Sequence, residues 1–221
     1  MRLRLPAILL SILPLAACAL SDSQKLGPGG AERLAGKEVH AVREASPLFA
    51  AISAAQAFSG DIERRRGLGD GVRIVDQNAL VDPSLLVEDA LAAHLLQRYG
   101  TAGAGAAIEF AAGEKPDDPA LWTTTRPDDG LILDVETRHW GFAYFPTERD
   151  RYRVIYVAMV RVIDAGTGQT LAQHLCDKRG PDSADTAPTY DEMLAEQAAL
   201  LKAMLAEHAA GCIEEVTTRV L

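Results

Sequence analysis

The chain is short of positive charge, of aromatic side chains and of long apolar runs. It has 22 Lys and Arg residues against 31 Asp and Glu residues, a net charge of -9, and 5% aromatic residues. An acidic protein is repelled by the phosphates of nucleic acids, so we expect no nucleic-acid partner. After the N-terminal segment, no apolar run reaches the length of about 20 residues that a membrane-spanning helix needs.

Motifs of common enzymes and metal sites are also missing. The sequence contains no Gly-x-Ser-x-Gly, no His-Glu-x-x-His and no Cys-x-x-Cys, the patterns of a serine nucleophile, a zinc protease and a redox pair. Its 5 histidines are scattered, without the spacing of metal ligands. We therefore expect no catalytic residue, no metal site and no cofactor. An enzyme stays as an alternative, because catalytic triads are defined by geometry rather than by sequence order.

The chain does have a distinctive N-terminal segment, in which basic residues are followed by apolar residues and then by small residues. Arg2 and Arg4 precede an almost unbroken apolar run over residues 5–15, and small residues lead from it to Cys18. This order is typical of a secretory signal peptide, and the run is too short to span a bilayer. Residues 1–17 are therefore predicted to be a signal peptide.

The tetrapeptide Leu15-Ala16-Ala17-Cys18 resembles the lipobox of bacterial lipoproteins. The resemblance implies that Cys18 begins the mature chain and carries acyl chains that hold it on a membrane. Ala19 and Leu20 follow Cys18, where Asp is the usual signal for retention in the inner membrane. The resemblance thus implies an outer-membrane lipid anchor with the domain facing the periplasm.

Composition divides the rest of the chain. Residues 18–36 are rich in Ser, Gly and Pro and are predicted to be a lipidated, flexible tether, whereas residues 37–221 suffice for a single domain. Within it, the sequence predicts an Ala-rich helix over 47–58, a glycine turn at 67–71 and a strand over 72–75. A second helix is expected to begin at Asp82-Pro83-Ser84 and to end at Tyr99.

Residues 112–130 are predicted to form a long polar loop. A loop of this length in a compact domain is usually functional or disordered. Its aromatic residue, Trp122, is either an exposed contact for a partner protein or a plug over the core, and the sequence favours neither.

The second half of the chain is predicted to consist mainly of β-strands. Residues 131–144 alternate in polarity but change parity near Gly141, which predicts a β-bulge. Residues 151–163 have one wholly apolar face and a partly apolar second face, as in a central strand. A hairpin loop at 164–168 and a returning strand over 169–176 follow. The predicted fold is α+β, with an antiparallel or mixed sheet packed by helices.

The chain closes with its longest predicted helix. Thr189 and Glu192 form a capping box. Apolar residues recur at helical spacing and are expected to face the core, namely Leu194, Ala198, Leu201, Leu205, Ala209, Cys212 and Val216. With Cys18 lipidated, Cys176 and Cys212 are left as a pair in an oxidising compartment, where a disulfide is expected. To bring Cys212 back to Cys176, we expect the helix to run parallel to the last strand.

Several features together resemble a largely uncharacterised class of proteobacterial envelope lipoproteins. The resemblance implies a non-catalytic binding or assembly role, with the membrane bound through Cys18 and with envelope proteins as partners. The order of elements is more loosely similar to penicillin-binding-protein activator, curli-secretion and ABC-transporter auxiliary lipoproteins. The alternatives are therefore an auxiliary subunit of a transport or secretion assembly and an envelope hydrolase. The features are Leu15-Ala16-Ala17-Cys18, Asp82-Pro83, Trp140, the strand ending at Asp164, Cys176, Tyr190-Asp191-Glu192 and Cys212.

Overall fold

The structure, a computed structural model, describes residues 23–53, 60–111, 113–122 and 125–221, and for residues 60–68 only the backbone. Within this part the chain has an α+β fold, as predicted, with four helices and a mixed eight-stranded sheet. The elements in order are β1 (Ser23–Gln24), α1 (Gly30–Leu34), β2 (Glu38–Arg43), β3 (Ala50–Ile52), α2 (Gly60–Asn78), α3 (Ser84–Tyr99), β4 (Gly103–Ala104), β5 (Ile108–Glu109), β6 (Leu131–Tyr144), β7 (Tyr152–Asp164), β8 (Thr170–Gly180) and α4 (Tyr190–Arg219).

The three long strands form the centre of the sheet. Its order is β1-β8-β7-β6-β2-β4, with β3 also paired to β6 and β5 to β2. Strands β6, β7 and β8 are antiparallel neighbours, whereas β2 and β3 pair in parallel with β6. The central place of β7 confirms the prediction from its two apolar faces.

The predicted β-bulge in β6 is present. The pairing of β6 with β7 shifts register between Thr137 and His139. The shift lets Val135 and Phe142, which have opposite parity in the sequence, enter the same buried core. Gly141 is needed just beyond it, because a Cβ atom there would lie 2.1 Å from the carbonyl oxygen of Ala50 on β3.

Helix α4 begins with the predicted capping box, in which Thr189 and Glu192 bond to each other's backbone N–H groups. The helix is interrupted at residues 195–198, where Glu196, Gln197 and Ala198 have φ values of 51°, 57° and 59°. The break changes the buried stripe near the start of the helix: Met193, rather than the predicted Leu194, is fully buried. From the break onwards the stripe is as predicted, with Ala198, Leu201, Leu205, Ala209, Cys212 and Val216 buried.

Cys176 and Cys212 form the predicted disulfide, with 5.5 Å between their Cα atoms. The predicted path of the helix is wrong. Strand β8 continues past Cys176 to Gly180, so the chain turns beyond the end of the sheet. Helix α4 then returns antiparallel to β8: His208 contacts the Val154 carbonyl, at the level of Gly180, and Glu215 contacts His174.

Two predicted elements in the first half are wrong. Residues 50–52 of the expected Ala-rich helix form β3, while residues 54–58 of that segment lie outside the described residues. Residues 67–75, expected to be a turn and a strand, belong to helix α2. In both cases tertiary packing overrides local propensity, because β3 pairs with β6 and α2 packs on β3. By contrast, α3 begins and ends as predicted.

Much of the predicted tether belongs to the folded domain. Strand β1 pairs with β8, Leu34 of α1 is 0% exposed, and the Leu26 N–H donates to the Val220 carbonyl at 2.9 Å. Leu26 and Leu34 pack on the core, and with the β1–β8 pairing they hold this polar segment against the domain. Cys18 lies outside the described residues. No helix in the described ranges combines the length and hydropathy of a membrane span.

Candidate functional site

A cavity of about 390 Å³ lies between helix α3 and the sheet, and we call it the α3 groove. One wall comes from β2 and the segment after it, the other from the start of α3, and the floor from β6. The lining side chains on which its character depends are Arg43, Asp82, Leu85, Glu88, Asp134 and Trp140. The groove therefore combines apolar surface with several charged groups.

Trp140 gives the groove a rigid aromatic wall. Its Nε1–H donates to the Pro47 carbonyl at 2.7 Å, which ties the wall to the segment before β3. Its ring stands edge-on to Phe49, with 5.0 Å between centroids. Because both ends of the indole are held, the wall is preorganised for contact with an apolar group.

An ion pair between Arg43 and Glu88 closes one end of the groove. Glu88 is 5% exposed although it is charged, and its hydrogen bond raises the pKa of Arg43. On the other side of this pair lies a second cavity of about 350 Å³, bordered by Leu96 and Leu133. The pair thus bridges α3 and the sheet and separates two open spaces.

Asp82 holds the start of α3 in place. Its Oδ1 accepts from the backbone N–H of Ser84 at 2.8 Å and from the hydroxyl of Thr137 at 2.6 Å. Its Oδ2 and the hydroxyl of Tyr156 are buried and have no hydrogen-bond partner among the described residues. Burial, and then the charge of Asp82, raises the pKa of Tyr156. Both atoms are shielded from solvent.

Asp134 connects the groove to a buried network of charges. Its carboxylate lies 3.0 Å from Lys115 Nζ and 2.6 Å from Arg161 Nη2, and all three side chains are at most 6% exposed. Lys115 also pairs with Glu44 and Glu136, both at 2.8 Å. Burial lowers the pKa of Lys115, but its carboxylate partners outweigh that effect and raise it. The network fixes the loop that carries Lys115 onto β6.

Trp122 is a plug and not a surface contact. Its side chain is 1% exposed, its Nε1–H donates to the Pro116 carbonyl at 2.8 Å, and its ring packs on Phe110. The guanidinium of Arg161 lies 5.7 Å from the ring centroid. Of the two interpretations of the sequence, the partner contact is therefore wrong, and Trp122 covers a small second core beside the charge network.

Exposed apolar side chains surround one end of the α3 groove. Val81, Leu85 and Leu86 are 65%, 45% and 49% exposed. They also border a cavity of about 250 Å³ between the start of α3 and Leu205 of α4. The sequence analysis missed this surface, although a signal was there: α3 has leucines on its outer face as well as on its buried face.

The two other predicted site residues that the structure describes, Cys176 and Cys212, do not line the groove. Cys176 and Cys212 are fully buried between β8 and α4. A comparison of the chain with family models and with curated proteins gave no match. The groove and its apolar rim are therefore assigned from geometry alone, and they combine apolar surface with paired charges.

Proposed function

We propose that the chain is a lipid-anchored protein of the cell envelope with a non-catalytic binding or assembly role. It is held on the outer membrane by acyl chains on Cys18, faces the periplasm, and binds an envelope protein at the α3 groove. The observation that carries the proposal is the place of the lipobox-like tetrapeptide, which ends five residues before β1. Five residues extend over about 18 Å at most, so the anchor would keep the domain close to the bilayer.

The disulfide supports this location. Cys176 and Cys212 are joined although they are 36 residues apart, and disulfides persist in oxidising compartments such as the periplasm. The net charge of -9 disfavours attachment of the protein surface to anionic lipids, so lipid on Cys18 is the attachment that the sequence offers.

The α3 groove supports a binding role. Val81, Leu85 and Leu86 expose apolar surface next to a preformed cavity, and contiguous apolar surface of this kind marks protein contacts. The groove is flanked by paired charges such as Arg43–Glu88, and an apolar centre with a polar rim is the usual build of an interface. We expect an apolar segment of the partner to enter the groove against Trp140.

The anchor is tested by labelling cells with a fatty acid. The wild-type chain should incorporate the label and sediment with outer membranes, and Cys18→Ser should do neither. Label that persists in Cys18→Ser would contradict the anchor. Cys176→Ser is the matched control, since it removes a different cysteine and should leave labelling unchanged.

The binding surface is tested by photo-crosslinking from position 85 in intact cells. We expect a discrete crosslinked protein, lost when Val81→Glu is added and kept with Leu121→Glu, which places the same charge at a 65% exposed leucine away from the groove. A transport or secretion component in the crosslink would favour the auxiliary-subunit alternative. A crosslink that Val81→Glu leaves intact would contradict binding at the groove.

A further inference from the structure

Four side chains with metal-ligand chemistry meet between β8 and α4. His174 and Cys176 are two residues apart on a strand and so share one face, whereas Cys212 and Glu215 are three apart on a helix and share another. One ligand atom each of His174, Cys176 and Glu215 lie within 4.8 Å of one another. The sulfur of Cys212 is bonded to that of Cys176 and therefore lies beside this group.

The hydrogen bonds of Glu215 are divided between its two oxygens. Oε2 lies 3.3 Å from His174 Nε2 and thus faces the group. Oε1 lies 2.9 Å from Lys178 Nζ and 3.4 Å from Arg219 Nη1, on the outer side. Burial raises the pKa of Glu215, but Lys178 and His174 outweigh it and lower the pKa. The glutamate is thus an ionised ligand whose outer oxygen is already held.

His174 has an unused ring nitrogen. Its side chain is 13% exposed, and its Nδ1 is buried with no hydrogen-bond partner among the described residues. A buried polar atom without a hydrogen-bond partner destabilises the folded chain. The imidazole is therefore not fully satisfied in the disulfide form.

We infer that reduction of the Cys176–Cys212 disulfide turns this group into a zinc site with Cys176, Cys212, His174 and Glu215 as ligands. This inference does not depend on the proposed function. Two thiolates, an imidazole and a carboxylate complete the four-coordinate set that Zn²⁺ prefers. Zinc binds Oε2 of Glu215, and Lys178 keeps its contact with Oε1 as an outer-shell partner that orients the ligand.

The chemistry balances with a dithiol as the reductant. A thiolate of the dithiol attacks one sulfur of the disulfide, and its second thiol closes to release the reductant as a disulfide. Two electrons and two protons pass to the protein, giving thiols at Cys176 and Cys212. Zinc then displaces the two thiol protons and forms two Zn–S bonds, so metal binding is coupled to proton release.

The test uses the full-length chain purified in a mild detergent, reduced with dithiothreitol and desalted without oxygen. We expect the reduced chain to bind one Co²⁺, with a thiolate-to-cobalt charge-transfer band and the visible bands of tetrahedral cobalt, and Zn²⁺ to displace it. The oxidised chain should give neither band. The variants His174→Ala and Glu215→Gln each remove a ligand and should weaken binding by at least the roughly 10–100-fold that loss of an outer-shell partner costs. His94→Ala, which changes a histidine on α3, should have no effect.

Two results would overturn the inference. One is a reduced, folded chain that gives no tetrahedral cobalt spectrum. The other is an affinity that both His174→Ala and Glu215→Gln leave unchanged, because the thiols alone would then bind the metal. If reduction unfolds the chain, circular dichroism replaces the cobalt spectrum as the readout: Zn²⁺ should restore the helical signal in the wild type but not in Cys176→Ser/Cys212→Ser. A signal that Zn²⁺ does not restore would equally overturn the site.

Discussion

Gly71 lies so close to Phe49 that a Cβ atom on Gly71 would be 1.8 Å from the Phe49 carbonyl oxygen. This contact packs the C-terminal half of α2 onto the chain just before β3. It also explains why a glycine-dense segment is helical here. The missing side chain, which lowers helix propensity, is what allows the helix to approach the strand.

Substitution of Gly71 by Ala should therefore be destabilising. The added methyl group meets backbone and not a movable side chain, so we expect a loss of about 1–3 kcal/mol or more in the free energy of unfolding, measured with urea. Gly69→Ala is the matched control two residues earlier. A Cβ atom there meets nothing within 4 Å, so the higher helix propensity of Ala should stabilise by about 0.5–1 kcal/mol. Equal effects at both positions would contradict the packing of α2 on β3.

The break in α4 predicts that substitution of Glu196 by Gly stabilises the folded chain. Glu196 is exposed and has a φ of 51°, a left-handed conformation that costs an L-residue roughly 1–2 kcal/mol. Glu196→Gly should remove that strain at the expense of chain entropy, for a net gain of about 0.5–1 kcal/mol. The same change at Glu207, which is exposed within the regular helix, should destabilise by about 1 kcal/mol. A loss of stability from Glu196→Gly would mean that α4 is continuous.

The charge network predicts a large effect of Lys115. Lys115→Met leaves the carboxylate of Asp134, which is 1% exposed, with less compensating charge. We expect a loss of about 3–5 kcal/mol in unfolding free energy, as for other broken buried ion pairs. Lys37 also pairs with a carboxylate, but the side chain of its partner, Asp129, is 79% exposed. Lys37→Met should therefore change the free energy of unfolding little. A small effect of Lys115→Met would show that water enters the network.

Buried histidines predict a loss of stability in mild acid. Burial lowers the pKa of His139 and of His208 below the ordinary value of 6.5. The unfolded chain then takes up more protons as the pH falls below 6.5, so the free energy of unfolding decreases. Chemical denaturation at about pH 7.5 and about pH 5.5 should show this loss, and His208→Gln should reduce it. A wild-type stability that rises on acidification in this range would contradict the prediction.

The second half of the fold could be predicted from the sequence because its signals are periodic. Every second residue from Tyr152 to Val162 is apolar, and Thr189 with Glu192 is a local capping pattern. The sequence near β7 and near the start of α4 therefore predicts both elements. The disulfide could be predicted from the number of cysteines and from the expected compartment. The prediction of the pair did not depend on the path of α4, so it is correct although the predicted path is wrong.

The first half and the groove depend on contacts between distant residues. The alanines of β3 favour a helix locally, but pairing with β6 makes them a strand. Trp122 could not be assigned from sequence, because its burial requires Phe110 and Arg161, which come from other parts of the chain. The α3 groove could not be predicted because it forms only where β2 and β6 lie beside α3. The outward leucines of α3 do not by themselves indicate a cavity.

The disulfide makes one part of the molecule more resistant to local unfolding than the other. It clamps β8 to α4, and β6 and β7 are tied to β8 by long ladders, whereas α2, α3 and β3 lie outside the cross-linked loop. Amide hydrogens of α2 and α3 should therefore exchange with solvent through local openings that leave the ladders closed. The α3 groove lies on the boundary, with Leu85 from the weaker part and Trp140 from the stronger one. A bound partner would join the two parts, and its presence could be read as slowed exchange in α3 before it is seen in any other element.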